Sequence, residues 1–363
     1  MPFPGVRVDI GSANLLANIN IPDAVPAIVC LGVEDATIYS ADDYAWAKSD
    51  VVVNDFYREV GGSAPLLCVS VDGWTLDKVI AAVSSLLERR PDVNLIAIGE
   101  GPSSHTFTQH GALCDDVVSL VTKLKPVMEN AQKAGRPARV FLGGHVDVSK
   151  GDIAYTPSQA GNGFVSIVLG NSGASNADRP AVGTALGRAT KIAAHIKIGD
   201  GTLGPLSIED VHIGTKSYEE IGAAQVEQWH DMGFLTFMRR PGLEGWYFGV
   251  DNMCSSDDFS TLVHGRVIDK AQRLAIAAYM PYVESSMQMA DGGKIDAADA
   301  ESMAKVIESQ LRARMGDQVS NVKVVVPLEQ DLVNTHTLRV QVSVLPLGYN
   351  TWISVEMNLV NKL

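Results

Sequence analysis

Cysteine is scarce in this chain, four in 363 residues, and no two stand as a Cys-x-x-Cys pair or beside His at zinc-ligand spacing. Cys30, Cys68, Cys114 and Cys254 are scattered, and the first two sit inside apolar runs, so free thiols in a reducing compartment are expected. Charge is modest at 20% and lopsided, with 29 Lys and Arg against 42 Asp and Glu. The net charge of −13 excludes a general nucleic-acid binder, which needs a positive field to meet phosphates, and it favours solubility. No apolar run approaches the ~20 residues that cross a bilayer, and Met1-Pro2-Phe3 opens no secretory leader. Synthesis in the cytosol without membrane insertion is the expectation. Gly-Lys-Ser/Thr is missing, and Gly161-Asn162-Gly163 and Gly170-Asn171-Ser172-Gly173 read as turns rather than phosphate cradles. The eight histidines are dispersed; His105 and His110 fall in a polar loop and His145 ends a strand, so no metal or other cofactor is expected.

What is present is a globular composition, 46% hydrophobic with 33 glycines, long enough for two domains plus arms. Both ends carry the two-residue period of half-buried strands. Leu338, Val340, Val342 and Val344 alternate with Arg339, Gln341 and Ser343; after a break at Pro346, Gly348 and Asn350, Ile353, Val355, Met357 and Leu359 alternate with Ser354, Glu356 and Asn358. Near the start, Val6, Val8 and Ile10 alternate likewise, followed by a polar stretch to Asn20. Strand edges at both termini predict subunits that stitch to neighbours by exchanging strands.

Between them, strands and helices alternate. Solid apolar runs at 27–32, 65–71, 94–99, 139–143 and 163–170 predict strands, and amphipathic patterns at 76–90, 117–134 and 179–192 predict helices, with Gly135 stopping the second. Such runs joined by helices imply a largely parallel sheet covered on both faces, an α/β core. From about Ser217 the texture changes. A helix is predicted over 218–232, then strands at 233–238 and 246–250 paired across a Pro241-Gly242 turn. Ser255-x-x-Asp258 reads as a capping box opening a helix to Met280, Ala298 to Met315 reads as a second long helix closed by Gly316, and strands at 322–326 and 338–344 complete an α+β unit. Residues 34–57 resist assignment.

The C-terminal third resembles the sheath protein of contractile tails, as in phage tails, tailocins and type VI secretion and injection machines. Gly245-Trp246-Tyr247-Phe248-Gly249-Val250-Asp251-Asn252, the helix Asp258 to Tyr279, and Leu345-Pro346-Leu347-Gly348-Tyr349-Asn350-Thr351-Trp352-Ile353-Ser354-Val355 carry it, in the family's order. The opening Pro4-Gly5-Val6-Arg7-Val8 is similar to the family's start, with Arg7 a departure. The resemblance implies a central subtilisin-like core and arms that add strands to neighbouring subunits. It gives an N-terminal arm over 1–22, an α/β core over 23–216, a C-terminal α+β sheath domain over 217–345 and a C-terminal arm over 346–363. The implied function is mechanical, a non-enzymatic subunit that polymerises helically around an inner tube and contracts to drive it through an envelope. The implied partners are copies of itself, the inner tail tube protein, and baseplate and tail terminator or cap proteins. Localisation would be the bacterial host cytoplasm during assembly and the virion tail or contractile particle afterwards.

Arg266, Lys270 and Arg273 stand at i, i+4 and i+7 and so share one helix face. The resemblance makes that face a tube-gripping basic stripe; the alternative is a solvated face paired with Asp269 or Glu284. Asp72, His145 and Ser172 follow three strands in the order Asp…His…Ser, which keeps an oligomeric α/β serine hydrolase as the alternative function. Ser172 lacks the Gly-x-Ser-x-Gly elbow, however, and loop residues of these types are common at strand ends. A non-contractile capsid or tail component is a third reading. The acidic stretches Asp115-Asp116 and Asp296 to Glu301 open helices, where they meet the positive end of the dipole.

Overall fold

The computed structural model describes residues 21–32, 38–40, 50–62, 64–102, 104–291, 293–351 and 354. Val6, Val8 and Ile10 of the N-terminal arm and Ile353, Val355, Met357 and Leu359 of the C-terminal arm lie outside these residues.

The first half builds a six-stranded sheet from β1 (Pro26–Leu31), β2 (Ile38–Ser40), β3 (Leu67–Val71), β4 (Leu95–Ile98), β5 (Arg139–Gly143) and β6 (Val165–Val168), ordered β2-β3-β1-β4-β5-β6. All neighbours are parallel except β2, which runs antiparallel to β3 at the edge. The register sets Ile28 beside Cys68 and Ala97, and Val140 beside Val165. Because successive side chains alternate faces, each apolar strand feeds two cores. Ala27, Val29, Ile96, Ile98, Val140 and Leu142 meet α2 (Leu76–Arg89) and α3 (Asp115–Lys133). Ile28, Cys30, Cys68, Leu95, Ala97 and Phe141 meet α1 (Val51–Val60) and α4 (Val182–Thr190) on the opposite face.

Of the stretch 34–57, which resists assignment from the sequence, the described parts are β2 and the start of α1. Asp50 caps α1 by accepting from the Val53 N–H at 3.0 Å, and Gly61 closes it in the left-handed region at φ 77°. α1 and α4 lie in unusually close contact because Gly183 sits at the crossing. A Cβ there would stand 2.0 Å from the Val52 carbonyl oxygen.

The chain then turns through a short hairpin, β7 (His212–Ile213) and β8 (Lys216–Ser217), into α5 (Tyr218–Ile221) and α6 (Ala223–Asp231). The single helix expected over 218–232 is therefore two, broken at Gly222, whose φ of 87° no helix continues. β9 (Phe237–Met238) and β10 (Tyr247–Phe248) pair antiparallel, as their turn signal predicted. Phe237, Trp246 and Phe248 pack into the same core as α1 and α4, and Leu235 lies parallel to Val168 at the free side of β6.

The long helix α7 (Leu262–Tyr279) follows, then β11 (Met289–Ala290), β12 (Lys294–Ile295), α8 (Ala297–Met315), β13 (Val319–Val325), α9 (Leu332–Thr335) and β14 (Gln341–Pro346). Asp296 caps α8 through the N–H groups of Ala298 and Asp299. Val267, Ala271, Leu274 and Ala278 of α7 pack with Ile307, Leu311 and Met315 of α8 and Val319, Val322 and Val324 of β13 in a separate core. No helix among the described residues is long and apolar enough to cross a membrane.

Candidate functional site

Three places gather chemically distinctive side chains: α7 with the two chain ends, the carboxyl ends of the parallel strands, and the β13–β14 ladder.

The N-terminus of α7 is satisfied from a distance. The Asp251 carbonyl accepts from the Leu262 N–H at 2.9 Å, and its buried carboxylate accepts from the Val263 N–H at 3.0 Å. Burial raises the Asp251 pKa, against the nearby Lys197 at 3.6 Å. Ser255 and Asp258 do not form the expected capping box, because the helix begins four residues beyond them, after a turn in which Asp257 accepts from Phe259.

The basic face of α7 points inward. Arg266 donates through one terminal nitrogen to the carbonyls of Ala189 at 3.0 Å and Ile192 at 3.1 Å, and burial lowers its pKa to about 10. Lys270 meets the Asp23 carboxylate at 2.8 Å and the Gln318 side chain at 3.2 Å. Arg273 donates to the carbonyls of Pro91, Val93 and Pro137. The periodicity placed these cations on one face correctly, but that face is taken up by carbonyls and Asp23 of the same subunit. Arg266 and Lys270 are buried there and Arg273 is half-buried. Asp269, on the same helix, forms a two-pronged pair with Arg139 at the head of β5, both bonds 2.7 Å long and both residues under 5% exposed. Gly265 permits this approach, since a Cβ there would stand 2.6 Å from the guanidinium carbon. A second buried ionic junction, Glu59 with Arg188 and Lys191 at 2.6 Å each, ties α1 to α4. Sequence reading missed both junctions; the Gly183-x-x-x-Gly187 spacing was the one local sign that a helix approaches α4 closely.

Asp23 and Tyr349, near the two limits of the described residues, both lie beside α7. Asp23 also accepts from the Ala194 N–H at 3.1 Å, and Asn94 donates to its carbonyl at 3.2 Å. Tyr349 donates its hydroxyl to the His195 carbonyl at 2.7 Å, and the Lys197 ammonium stands 5.0 Å over its ring.

The strand order places a topological switch point between β1 and β4, where folds of this kind generally bind ligands. Glu100, His145 and Ser172 lie just beyond β4, β5 and β6, and Asp72 just beyond β3. Glu100 pairs with Arg179 at 3.0 Å; burial first, with Asp50 adding to it, lifts its pKa to about 7. His145 stacks on His105 at 4.7 Å, and burial with the adjacent His105 and Arg179 pushes its pKa down to about 3. Among the described residues no side chain hydrogen-bonds to either nitrogen of His145. Ser172 donates instead to Asp55 at 3.1 Å and accepts from Asn176 at 3.1 Å. The strand-end order of Asp72, His145 and Ser172 is thus not a relay: the serine proton points at a carboxylate and the imidazole touches neither. A polar cleft of about 300 Å3 elsewhere is lined by Ser158, His230, Asn252, Ser255, Ser260 and Thr261. Among the described residues no hydroxyl hydrogen-bonds to His230, and no three His, Cys, Asp or Glu converge as metal ligands.

The β13–β14 ladder is antiparallel, with Val322 opposite Val344 and Val324 opposite Val342. Val319, Val322, Val324, Val342 and Val344 face α7 and α8, while Asn321, Lys323, Val325, Gln341 and Ser343 face outward and Leu345 is 58% exposed. Among the described residues the sheet has two strands; on the β13 side the Val322 N–H donates to the Asn321 side chain at 2.8 Å and its carbonyl accepts from Arg312 at 3.0 Å.

With known proteins, the chain matches the family described as DUF2586, C-terminal domain, over residues 258–363. No curated protein sequence matches it. Solved structures match along its length. A chain of the anti-feeding prophage (AFP) baseplate superposes with a TM-score of 0.66 at 13% identity, covering 99% of each chain. A chain of the AFP helical sheath in its contracted state gives 0.65 at 13% identity, again over 99% of each. A chain of an extracellular contractile injection system, the PVC sheath complex in contracted state, gives 0.65 at 11%, covering 100% of this chain and 99% of that one. The fold is therefore shared with these chains from end to end.

Proposed function

We propose that this chain is a structural sheath subunit that polymerises helically around an inner tube and contracts to drive that tube through a target envelope. The carrying observation is end-to-end likeness to chains of contracted sheath assemblies, 99% or more of both chains in each case. A match of that extent covers the chain before and after residue 217 alike, which a shared α/β core alone would not give. The domain limits drawn from the sequence, the subtilisin-like description of the core and the strand-exchanging arms belong to the same proposal. The doubly covered parallel sheet supports the core. The β13–β14 ladder supports the arms, because among the described residues no third strand flanks it, and a strand edge is a natural acceptor for a strand arriving from a neighbour. Heterologous contacts of this kind propagate as open helices rather than closed rings.

The partners follow from the same reading: copies of this chain, an inner tube, a baseplate and a terminator or cap, with no nucleic acid. Assembly would occur in the host cytoplasm and action in the mature particle. A hydrolase is disfavoured because Ser172 donates to Asp55 rather than to His145.

Electron microscopy of the purified chain, alone and with its native tube, tests the proposal. Hollow cylinders with a helical surface are expected; dispersed subunits under all conditions, tube included, would overturn it. Truncation at Tyr349, removing the C-terminal alternation, should give a folded subunit that no longer polymerises, and sheaths formed by that variant would refute arm exchange. Labelling of Ser172 by a fluorophosphonate probe would revive the hydrolase.

A further inference from the structure

The roots of the two arms are held by consecutive residues. The Ala194 N–H donates to the Asp23 carboxylate at 3.1 Å, and the next carbonyl, that of His195, accepts the Tyr349 hydroxyl at 2.7 Å. Two residues on, Lys197 faces the Tyr349 ring at 5.0 Å and pairs with Asp251, the carboxylate that caps α7. From the other side α7 itself reaches Asp23: Lys270 pairs with its carboxylate at 2.8 Å, and Arg266 reaches its carbonyl at 3.4 Å while bonding the carbonyls of Ala189 and Ile192. One short segment, residues 189–197, thus lies between both chain ends and α7. Residues 23 and 270 are 247 positions apart in sequence, so this gathering is a property of the tertiary fold and not of local chain geometry.

We propose that residues 189–197 and α7 form a common anchorage for the two arms, coupling the hold on one arm to the hold on the other. Each root depends on the placement of the same backbone segment, so releasing one loosens the segment that fixes the second. That arrangement is a contiguous network of hydrogen bonds and ion pairs of the kind that carries coupling between sites. Its mechanical meaning, that a neighbour gripping one arm alters the set of the other, rests on the sheath reading above. The coupling itself does not, and it is measurable in dispersed subunits.

The test uses full-length chain held below its polymerisation concentration, with two substitutions read at the opposite root. Tyr349→Phe removes one hydroxyl and keeps the ring. It should speed amide exchange at Ala194 and Val25 roughly three- to ten-fold, the change in local opening expected from one lost hydrogen bond. Exchange in β4 serves as the internal standard and should not move. Asp23→Ala should in turn speed nitration of Tyr349 several-fold, read by peptide mass spectrometry. Amide exchange at Val25, read in both single variants and in the combined one, should rise in the combined variant by less than the product of the two single effects. Exchange at Ala194 and Val25 unchanged in Tyr349→Phe, or nitration of Tyr349 unchanged in Asp23→Ala, would overturn the coupling whatever the chain's state of assembly. Absent polymers with the cross-effects intact would instead count against the sheath reading alone.

Discussion

Asp269→Leu isolates what the Arg139 pair contributes. Arg139 is 2% exposed, and its two strongest bonds, each 2.7 Å, go to this carboxylate. Without Asp269 the guanidinium keeps the Gly163 carbonyl at 2.6 Å, a long bond to Gly265 at 3.4 Å and the Phe164 ring at 4.8 Å, but no counter-charge. Stranding one member of a buried pair typically costs ~3–5 kcal/mol. The residual carbonyl bonds place the expected loss near the lower end, about 3 kcal/mol. Removing both charges in Arg139→Met with Asp269→Leu leaves no stranded ion, so the double variant should recover most of that loss and stand within about 1 kcal/mol of wild type. Urea unfolding followed by tryptophan fluorescence and by circular dichroism measures both, with coincident curves and an unchanged slope as the condition for comparing midpoints. A single variant losing less than 1 kcal/mol, or a double variant as unstable as the single, would refute the view that the charges are mutually dependent.

Stability should vary with pH through two buried groups of opposite sign. Glu100, raised to about 7 from 4.5, contributes stability that is lost as pH rises from 4.5 to 7, whereas His145, lowered to about 3 from 6.5, contributes stability that is lost as pH falls from 6.5 to 3. Glu100→Gln should abolish the decline approaching pH 7 and expose the histidine's rise between 4.5 and 6.5; superimposable stability profiles for variant and wild type would count against the assignment. Gly183→Ala puts a methyl 2.0 Å from the Val52 carbonyl oxygen, so α1 and α4 must separate, at a cost of about 2 kcal/mol or more and a visibly lower Tm. A Tm equal to wild type would show that the crossing yields freely. Leu311→Ala removes the fully buried centre of the α7–α8–β13 core and should cost ~2–5 kcal/mol, with amide protection lost in α8 and β13 before β4. Uniform loss across the chain would mean that the two units do not open separately.

The sheet was legible because its strands are buried on both faces, which leaves solid apolar runs that turn residues delimit. Arg139–Gly143 was found to the residue, and the terminal alternation at Val342 and Val344 matches the half-buried face of β14, which starts three residues later than the expected 338. The α1 helix was not legible: Val51-Val52-Val53 reads as strand by propensity, and only the Asp50 cap and Gly61 stop mark it as a helix. Charge periodicity told which cations share a face of α7 but not what covers that face. Its covering groups come from residues 23, 91–93, 137 and 189–192, which no local pattern connects to it. Strand-end polar residues likewise suggested a catalytic order, whereas side-chain geometry turned Ser172 toward Asp55, in the stretch that had no assignment.

The Arg139–Asp269 pair also bears on how the chain is made. A ribosome delivers residues in order, and Asp269 follows Arg139 by 130 positions. At ~5–20 residues per second, β5 therefore emerges roughly 6–26 s before its counter-ion exists. During that interval the first strands can collapse with α2 and α3, yet the guanidinium at the head of β5 must stay hydrated, holding that end of the nascent sheet open. The last third of the chain closes it. A stalled or prematurely released product would thus carry a wet seam where α7 belongs, a feature by which quality-control proteases could distinguish unfinished chains from finished ones.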